Sequence, residues 1–449
     1  MDLKNIQNIY FIGIGGIGMS ALAKYFYANK FHVSGYDKTP SSITKTLENL
    51  GISIHYNDCI DAISKQFFDN EKTLIVYTPA VQKEHSELNY FISNGYRVYK
   101  RSEILGKITK NTFCFAVAGT HGKTTTSTIL GHILNEAGLN ATSFLGGIAE
   151  NYKSNLILGG DKISVVEADE YDRSFLRLSP NIACITSMDA DHLDIYGEKR
   201  ALEESFIDFS NKVTDALFVK KGLPIKGITY GIEEEADYVA KNITIKNGTY
   251  FFDVQTPSEK IKNIELNLSG KHNVLNTVAA LAMANKYGVS LQTIAKALKI
   301  FQGIQRRFTF KIKTDNLVLI DDYAHHPTEI DAVANAVREL YPGDKIVAVF
   351  QPHLFSRTRD FADDFAKSLA KFDALILLDI YPAREEPIAG ISSHWLLGKI
   401  RLEEKKIVAK EDLIESIVAA KASVIIMLGA GNIGEMVNTV KESLLSKAI

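Results

Sequence analysis

The sequence predicts an α/β protein in which parallel sheets are covered by helices, divided into about three domains. Short β-rich runs alternate with longer amphipathic segments through most of the chain, the pattern of strand and crossover helix. Glycine-rich turns stand at two of the strand-to-helix junctions. At ~150 residues per domain, 449 residues make three. The composition, 46% apolar and 23% charged, excludes a disordered or fibrous chain. Lys and Arg (51) nearly cancel Asp and Glu (53), with no basic block, so no nucleic-acid partner is expected.

The elements follow in order. A first strand spans 9–13 and a helix 19–28, and strands continue at 32–36, 73–77 and 96–99. The stretch 106–111 is polar and weakly patterned, which places a boundary there. A second unit opens with a strand over 113–118 and a helix from about Lys123. Its apolar runs at 163–166 and 182–186 each end in acidic residues, the second also in a His. Short alternating strands fill 238–268, and a helix covers 274–287. A third unit starts near Lys311, with strands at 317–320, 346–350, 374–378 and 424–427. The expected domains are therefore 1–109, 110–311 and 312–449. The opening residues carry no basic leader or cleavage site, and no run approaches the ~18–20 apolar residues of a membrane span. A soluble cytoplasmic protein without membrane insertion is expected. Cys59, Cys114 and Cys184 share no metal or redox spacing and read as small buried hydrophobes in a reducing compartment.

Gly13-Ile14-Gly15-Gly16-Ile17-Gly18 matches G-x-G-x-x-G between a strand and a helix. Such glycines let the backbone approach a diphosphate whose charge sits at the helix N-terminus. Asp37 follows the next strand, where a ribose-binding acid stands in dinucleotide folds. Taken alone, this motif would suit an NAD enzyme. Gly119-Thr120-His121-Gly122-Lys123-Thr124-Thr125-Thr126 is the apparatus of a triphosphate loop. Backbone N–H groups cradle phosphates, Lys123 pairs with β and γ oxygens, and the Thr124 hydroxyl reaches Mg²⁺. Val117 stands where G-x-x-x-x-G-K-S/T has its first glycine.

Glu167-Ala168-Asp169-Glu170 and Asp189-Ala190-Asp191-His192 end two strands, and neighbouring parallel strands open into one crevice. Glu167 and His192 are the expected metal ligands, with Asp169, Glu170 and Asp191 behind them. His272 and Asn276 stand in a polar group before an alanine-rich helix and suit a purine edge. Arg306 and Arg307 follow a glycine-bearing turn and could clamp phosphate oxygens, a charged linker being the alternative. Asp321-Asp322-Tyr323-Ala324-His325-His326 and Gln351-Pro352-His353 end two further strands, and His325 with Arg357 could hold a small carboxylate.

The ordered set GIGGIGMS, GTHGKTTT, EADE, DADHLDIYG, GKHNVLN, RRF, DDYAHHPTE, FQPH and SRTR resembles the Mur ligases of peptidoglycan synthesis, from Gly13 to Gly434. Within that family it is most similar to the members that add alanine. The resemblance implies a Rossmann-like UDP-sugar domain, a central P-loop-type ATPase domain and a C-terminal Rossmann-like amino-acid domain. It replaces NAD by UDP at the first loop: Gly15, Gly16, Ile17, Gly18, Met19 and Ser20, with Asp37 and Thr78, would hold the UDP substrate. Gly119, Thr120, His121, Gly122, Lys123, Thr124, Thr125, His272, Asn276, Arg306 and Arg307 would bind ATP. Thr124, Glu167 and His192 would bind Mg²⁺, for which Mn²⁺ could substitute, and Tyr323, His325 and Arg357 would border L-alanine.

The implied reaction phosphorylates the lactyl carboxylate of UDP-N-acetylmuramate with ATP, and L-alanine attacks the acyl phosphate. Lys123 and His325 are the implied catalytic residues. A monomer or homodimer is expected. Tyr171, Leu354 and Asn432 depart from residues common in the family, and EADEYD also resembles the ligase that recycles murein tripeptide. That ligase, an NAD-dependent oxidoreductase and a non-catalytic ATP switch are the alternatives.

Overall fold

The structure is a computed structural model that describes residues 5–189, 199–383 and 385–447. They form two compact units. The first comprises Met1–Ile243, Phe251–Leu266 and Leu275–Gln302, and the second Thr244–Tyr250, Asn267–Val274 and Gly303–Ile449.

The first sheet contains β1 (Asn8–Ile12), β2 (His32–Tyr36), β3 (Ser53–His55), β4 (Thr73–Tyr77) and β5 (Arg97–Lys100), in the order β3-β2-β1-β4-β5. All its pairs are parallel. All five residues of β1 are buried, as expected of a central parallel strand covered on both faces. Its helices are α1 (Ile17–Ala28), α2 (Ser42–Asn49), α3 (Ser86–Ser93) and α4 (Arg101–Thr109). Ser41 and Thr44 form a capping box that starts α2. Residues 106–109 of the weakly patterned stretch 106–111 form the last turn of α4, and Lys110 follows as its C-cap. The helix passes close to backbone there: a Cβ on Gly106 would lie 2.5 Å from the Arg177 carbonyl oxygen.

The second sheet has ten strands: β6 (Phe113–Ala118), β7 (Thr142–Ala149), β8 (Ser154–Ile157), β9 (Ile163–Ala168), β10 (Ile182–Ile185), β11 (Ala216–Lys220), β12 (Ile228–Ile232), β13 (Tyr238–Lys246), β14 (Thr249–Gln255) and β15 (Lys260–Leu266). Their order is β15-β14-β13-β12-β11-β10-β6-β9-β7-β8. Asn247 (φ 52°) and Gly248 (φ 80°) supply the two left-handed residues of the tight turn between β13 and β14. Helices α5 (Lys123–Glu136), α6 (Lys199–Ser210), α7 (Lys271–Lys286) and α8 (Leu291–Ile300) follow in chain order. The two sheets of the first unit share one hydrophobic core, reaching from Ile9 and Phe11 to Ala116 and Val166. Asn155 on β8 links them directly, donating to the Ile17 carbonyl (2.6 Å) and the Ser20 hydroxyl (2.8 Å) of α1.

The third sheet contains β16 (Thr309–Lys313), β17 (Val318–Asp322), β18 (Ile346–Phe350), β19 (Ala374–Leu377), β20 (Glu404–Ile407) and β21 (Val424–Leu428). The order is β16-β17-β21-β18-β19-β20, with only β16 antiparallel to its neighbour. The period of two in β17 sends Val318 and Ile320 to one core and Leu319 to the other. Helices α9 (Pro327–Leu340) and α10 (Phe355–Asp360) leave the carboxyl ends of β17 and β18. Cys114 and Cys184 are buried as expected, but Cys59 is exposed, because it lies in the loop after β3. Among the described residues no helix is long and apolar enough to cross a membrane.

Candidate active site

The loop between β6 and α5 is built by glycine. Gly119 (φ 129°) and Gly122 (φ 83°) take conformations that side chains resist, and a Cβ on Gly122 would lie 2.5 Å from Asn276 Oδ1. Asn276 therefore stands against this loop. The Lys123 ammonium donates to the Gly119 carbonyl (2.6 Å) and to both oxygens of Glu170 (2.7 and 3.0 Å), with the Thr120 carbonyl at 3.4 Å. Burial alone would lower the Lys123 pKa, but Glu170 and then Asp169 outweigh it and hold it above the ordinary lysine value. The lysine is charged.

β9 lies next to β6 with Val117 opposite Glu167, so the Glu167 carboxylate ends its strand beside the loop. It accepts from the Thr124 hydroxyl (3.1 Å), the Ser127 hydroxyl (3.3 Å) and the Gly146 N–H (2.5 Å). A carboxylate and a hydroxyl this close make the hard-oxygen corner that Mg²⁺ accepts while keeping waters and phosphate oxygens as its other ligands. The residues fit the ion. His192, the third expected ligand, lies outside the described residues, as does Asp191. Among the described residues no group of three or more His, Cys, Asp or Glu could hold a metal. The His121 backbone and the Thr120 hydroxyl are tied to the segment after β10 through the Ser187 hydroxyl, which accepts from His121 N–H (2.7 Å) and bonds Thr120 Oγ1 (2.9 Å).

The loop between β1 and α1 is arranged differently. Gly13 and Ile14 N–H donate to the Tyr36 carbonyl (2.8 and 3.0 Å), and Gly15 N–H donates to Asp37 Oδ2 (2.7 Å). Ile17, Gly18 and Met19 form the first turn of α1, the end where a helix offers unpaired N–H groups to an anion. Ser20 is buried and held by Asn155. Thr78 closes the other side, 2.4 Å from where a Cβ on Gly13 would be. Arg101, at the start of α4, reaches the same turn: its guanidinium lies 2.9 Å from the position of a Cβ on Gly18.

Behind this loop sits a buried polar cluster. Tyr10 OH donates to Glu87 (2.8 Å) and meets His55 Nε2 (2.6 Å), while Glu87 also accepts from Cys59 N–H (3.2 Å). Burial pushes the Glu87 carboxyl up to about 7, against the pull of the Tyr10 and Cys59 hydrogen bonds.

In the second unit, α7 begins at Lys271, so His272 lies inside the helix rather than before it. His272 is pushed down to about 4 by burial and then by Arg307, and so stays neutral. A cleft of about 610 Å³ opens beside it, lined by Lys271, Thr328, Asn335 and Glu339 among others.

Tyr323 carries Arg306 and Arg307 over its ring at 5.0 and 5.2 Å. Arg306 bonds Asp321 (3.4 Å) and the Gly429 carbonyl, and Arg307 faces Glu329 (3.8 Å). His326 caps α9, which has Pro327 at its start. His325 Nδ1 lies 3.0 Å from the Tyr323 carbonyl and 3.3 Å from Glu329. Its ring continues to His353 (6.0 Å) and on to Tyr381 (5.7 Å), and buried Arg357 lies 3.4 Å from His353 Nδ1. Tyr323, His325 and Arg357 thus gather at one end of the third sheet.

Ser127, Gly146, Arg101, Glu329 and Tyr381 join these clusters without having been singled out from the sequence. Two of them had a signal: Ser127 lies one helical turn beyond Thr124, and Glu329 closes the DDYAHHPTE motif.

Three family models match the chain: the Mur ligase family catalytic domain over residues 8–112, the Mur ligase middle domain over 117–284, and the Mur ligase glutamate ligase domain over 306–431. The chain is 60% identical to a UDP-N-acetylmuramate–L-alanine ligase of Flavobacterium psychrophilum, over the whole of both chains. It is 48% identical to the enzyme of the same name from Parabacteroides distasonis, covering 99% of this chain and 98% of the other. Its structure is similar to the crystal structure of the UDP-N-acetylmuramate-alanine ligase of Thermotoga maritima, with a TM-score of 0.84 and 28% identity over 98% of this chain and 99% of that one. A murein peptide ligase from Psychrobacter arcticus shares the fold, with a TM-score of 0.72 and 24% identity over 98% of each chain. The chain belongs to the Mur ligase family.

Proposed function

We propose that this protein is an ATP-dependent ligase that joins L-alanine to the lactyl carboxylate of UDP-N-acetylmuramate, giving UDP-N-acetylmuramoyl-L-alanine, ADP and phosphate for peptidoglycan precursors. The observation that carries this reading is the β6–α5 loop, with a charged Lys123 beside the Thr124–Glu167 corner. Full-length identity of 60% to a relative of that name supports the substrate pair.

Residues 1–109 bind the UDP sugar, 110–311 the ATP and 312–449 the amino acid. Gly15 to Ser20 seat the diphosphate at the start of α1, with Asp37 and Thr78 beside them. The Gly119–Thr125 loop takes the ATP phosphates, with Asn276 and neutral His272 assigned to the adenine and Arg306 and Arg307 to phosphate. Thr124, Glu167 and His192 would hold Mg²⁺, which would supply charge neutralisation at the phosphoryl oxygens. Lys123 supplies preorganised positive charge where the γ-phosphoryl group gathers negative charge in transfer to the sugar carboxylate. The acyl phosphate so formed is attacked by the alanine amine, which must first lose a proton. His325, whose Nδ1 lies 3.0 Å from the Tyr323 carbonyl, is the residue assigned to take that proton. Arg357, a buried cation, pairs with the alanine carboxylate.

The test is to incubate the protein with ATP, Mg²⁺ and UDP-N-acetylmuramate, adding L-alanine, murein tripeptide or no amine, and to weigh the UDP-linked product. A mass gain of one alanine residue, with phosphate released only when L-alanine is present, is expected. A product only with tripeptide would assign the recycling reaction, and no amide product under any condition would overturn the ligase reading.

A further inference from the structure

The Lys123 ammonium has three N–H groups and, among the described residues, three partners: the Gly119 carbonyl, the Thr120 carbonyl and the Glu170 carboxylate. Glu170 is fully buried and touches the ammonium with both oxygens, the strongest of the three interactions because it is charged. The backbone just beyond it is held in an unusual path. Asp172 (φ 53°) and Arg173 (φ 52°) are both left-handed, and Arg173 N–H donates to the Glu170 carbonyl (2.9 Å). With every ammonium donor already used, a phosphate oxygen can accept from Lys123 only if a protein partner lets go. A buried carboxylate facing an incoming polyphosphate is also the partner with most reason to be displaced, since like charges disfavour one another at short range.

We propose that Glu170 is a positioning residue that competes with nucleotide phosphates for the Lys123 ammonium. It holds the lysine in the phosphate loop when the loop is empty, yields it when ATP enters, and reclaims it as ADP leaves. This rests on the reading of Lys123 as the ATP-phosphate lysine. The consequence is a sign that a purely structural acid would not give: neutralising Glu170 tightens nucleotide binding.

The experiment is calorimetric titration of ADP, without Mg²⁺, into wild type, Glu170→Gln, Lys123→Ala and the double variant, each checked for folding by its thermal transition. ADP dissociation constants lower by threefold or more in Glu170→Gln, with no such change between Lys123→Ala and the double variant, are the expected result. An unchanged or raised constant in folded Glu170→Gln overturns the proposal. So does an equal gain in the Lys123→Ala background, which would mean that Glu170 repels phosphate directly rather than through the lysine. Should the Gln variant fail to fold, Glu170→Asp keeps the charge but withdraws it by one methylene, and it must shift the constant in the same direction by less. Failure of wild type to bind ADP at all would instead remove the underlying reading of the loop, and the proposal with it.

Discussion

The two glycine loops of the first unit share a strand–turn–helix plan, yet their surroundings differ. In the β1–α1 loop the turn N–H groups are already satisfied, by the Tyr36 carbonyl and the Asp37 carboxylate. What remains for a ligand is the first turn of α1, which can hold a diphosphate but carries no catalytic side chain. In the β6–α5 loop a charged lysine lies among its own carbonyls and Glu170, with a hydroxyl–carboxylate corner next to it. On the proposed reading, one loop binds and the other reacts. The difference lies in the residues around the glycines, not in the glycines themselves.

Substitutions in the second loop should therefore remove turnover, and those in the first should alter affinity. The largest effect is expected of Lys123→Ala, a loss of at least ~10²-fold in kcat, read by phosphate release. Because that change leaves Glu170 buried without its ammonium, it should also lower the Tm. Adding Glu170→Gln should recover the Tm and leave turnover lost, an outcome that separates chemistry from stability. Next comes Glu167→Gln, expected to raise the Mg²⁺ concentration for half-maximal turnover about tenfold or more, followed by Mg²⁺ titration. Asp37→Ala removes one charged hydrogen bond from the first loop, and KM for UDP-N-acetylmuramate should rise about tenfold with kcat unchanged.

The smallest effect is a pH dependence behind the first loop. The Glu87 carboxyl is raised by burial from 4.5 to about 7 in the folded state. The folded state thus holds a proton that the unfolded chain releases. Its stabilisation is full below pH 4.5 and is lost as pH rises through 7. Glu87→Gln keeps a neutral group at every pH. Wild type should therefore lose stability relative to it, on the order of 3 kcal/mol between pH 4.5 and 8, as followed by denaturant unfolding. His55 and His85 are shifted down, first by burial, and Asp58 lies beside them, so the comparison is made against Glu87→Gln rather than on wild type alone.

Much of this plan was legible in the sequence. The strands at 32–36, 73–77, 113–118 and 346–350 coincide with β2, β4, β6 and β18, because central parallel strands are continuous apolar runs bounded by turns. β7 escaped notice because Gly146 and Gly147 interrupt its apolar pattern, and edge strands β3 and β20 because they are short and largely polar. Helix α7 starts earlier than its alanine-rich run suggests, since Lys271, His272 and Asn273 are polar residues within a helical turn. At the site, a loop spacing announced Lys123 and Thr124. No spacing announced that Glu170, rather than Glu167, would take the lysine, because pairing across a strand end depends on register and on the left-handed turn at Asp172 and Arg173. The same holds for Arg101, which reaches the first loop from more than eighty residues away.

The most direct test of the division between a binding loop and a reacting loop is calorimetric titration of UDP-N-acetylmuramate into folded Lys123→Ala. Wild-type affinity in a protein that no longer releases phosphate is the expected result. Lost affinity for the UDP sugar, or turnover that survives the substitution, would contradict it.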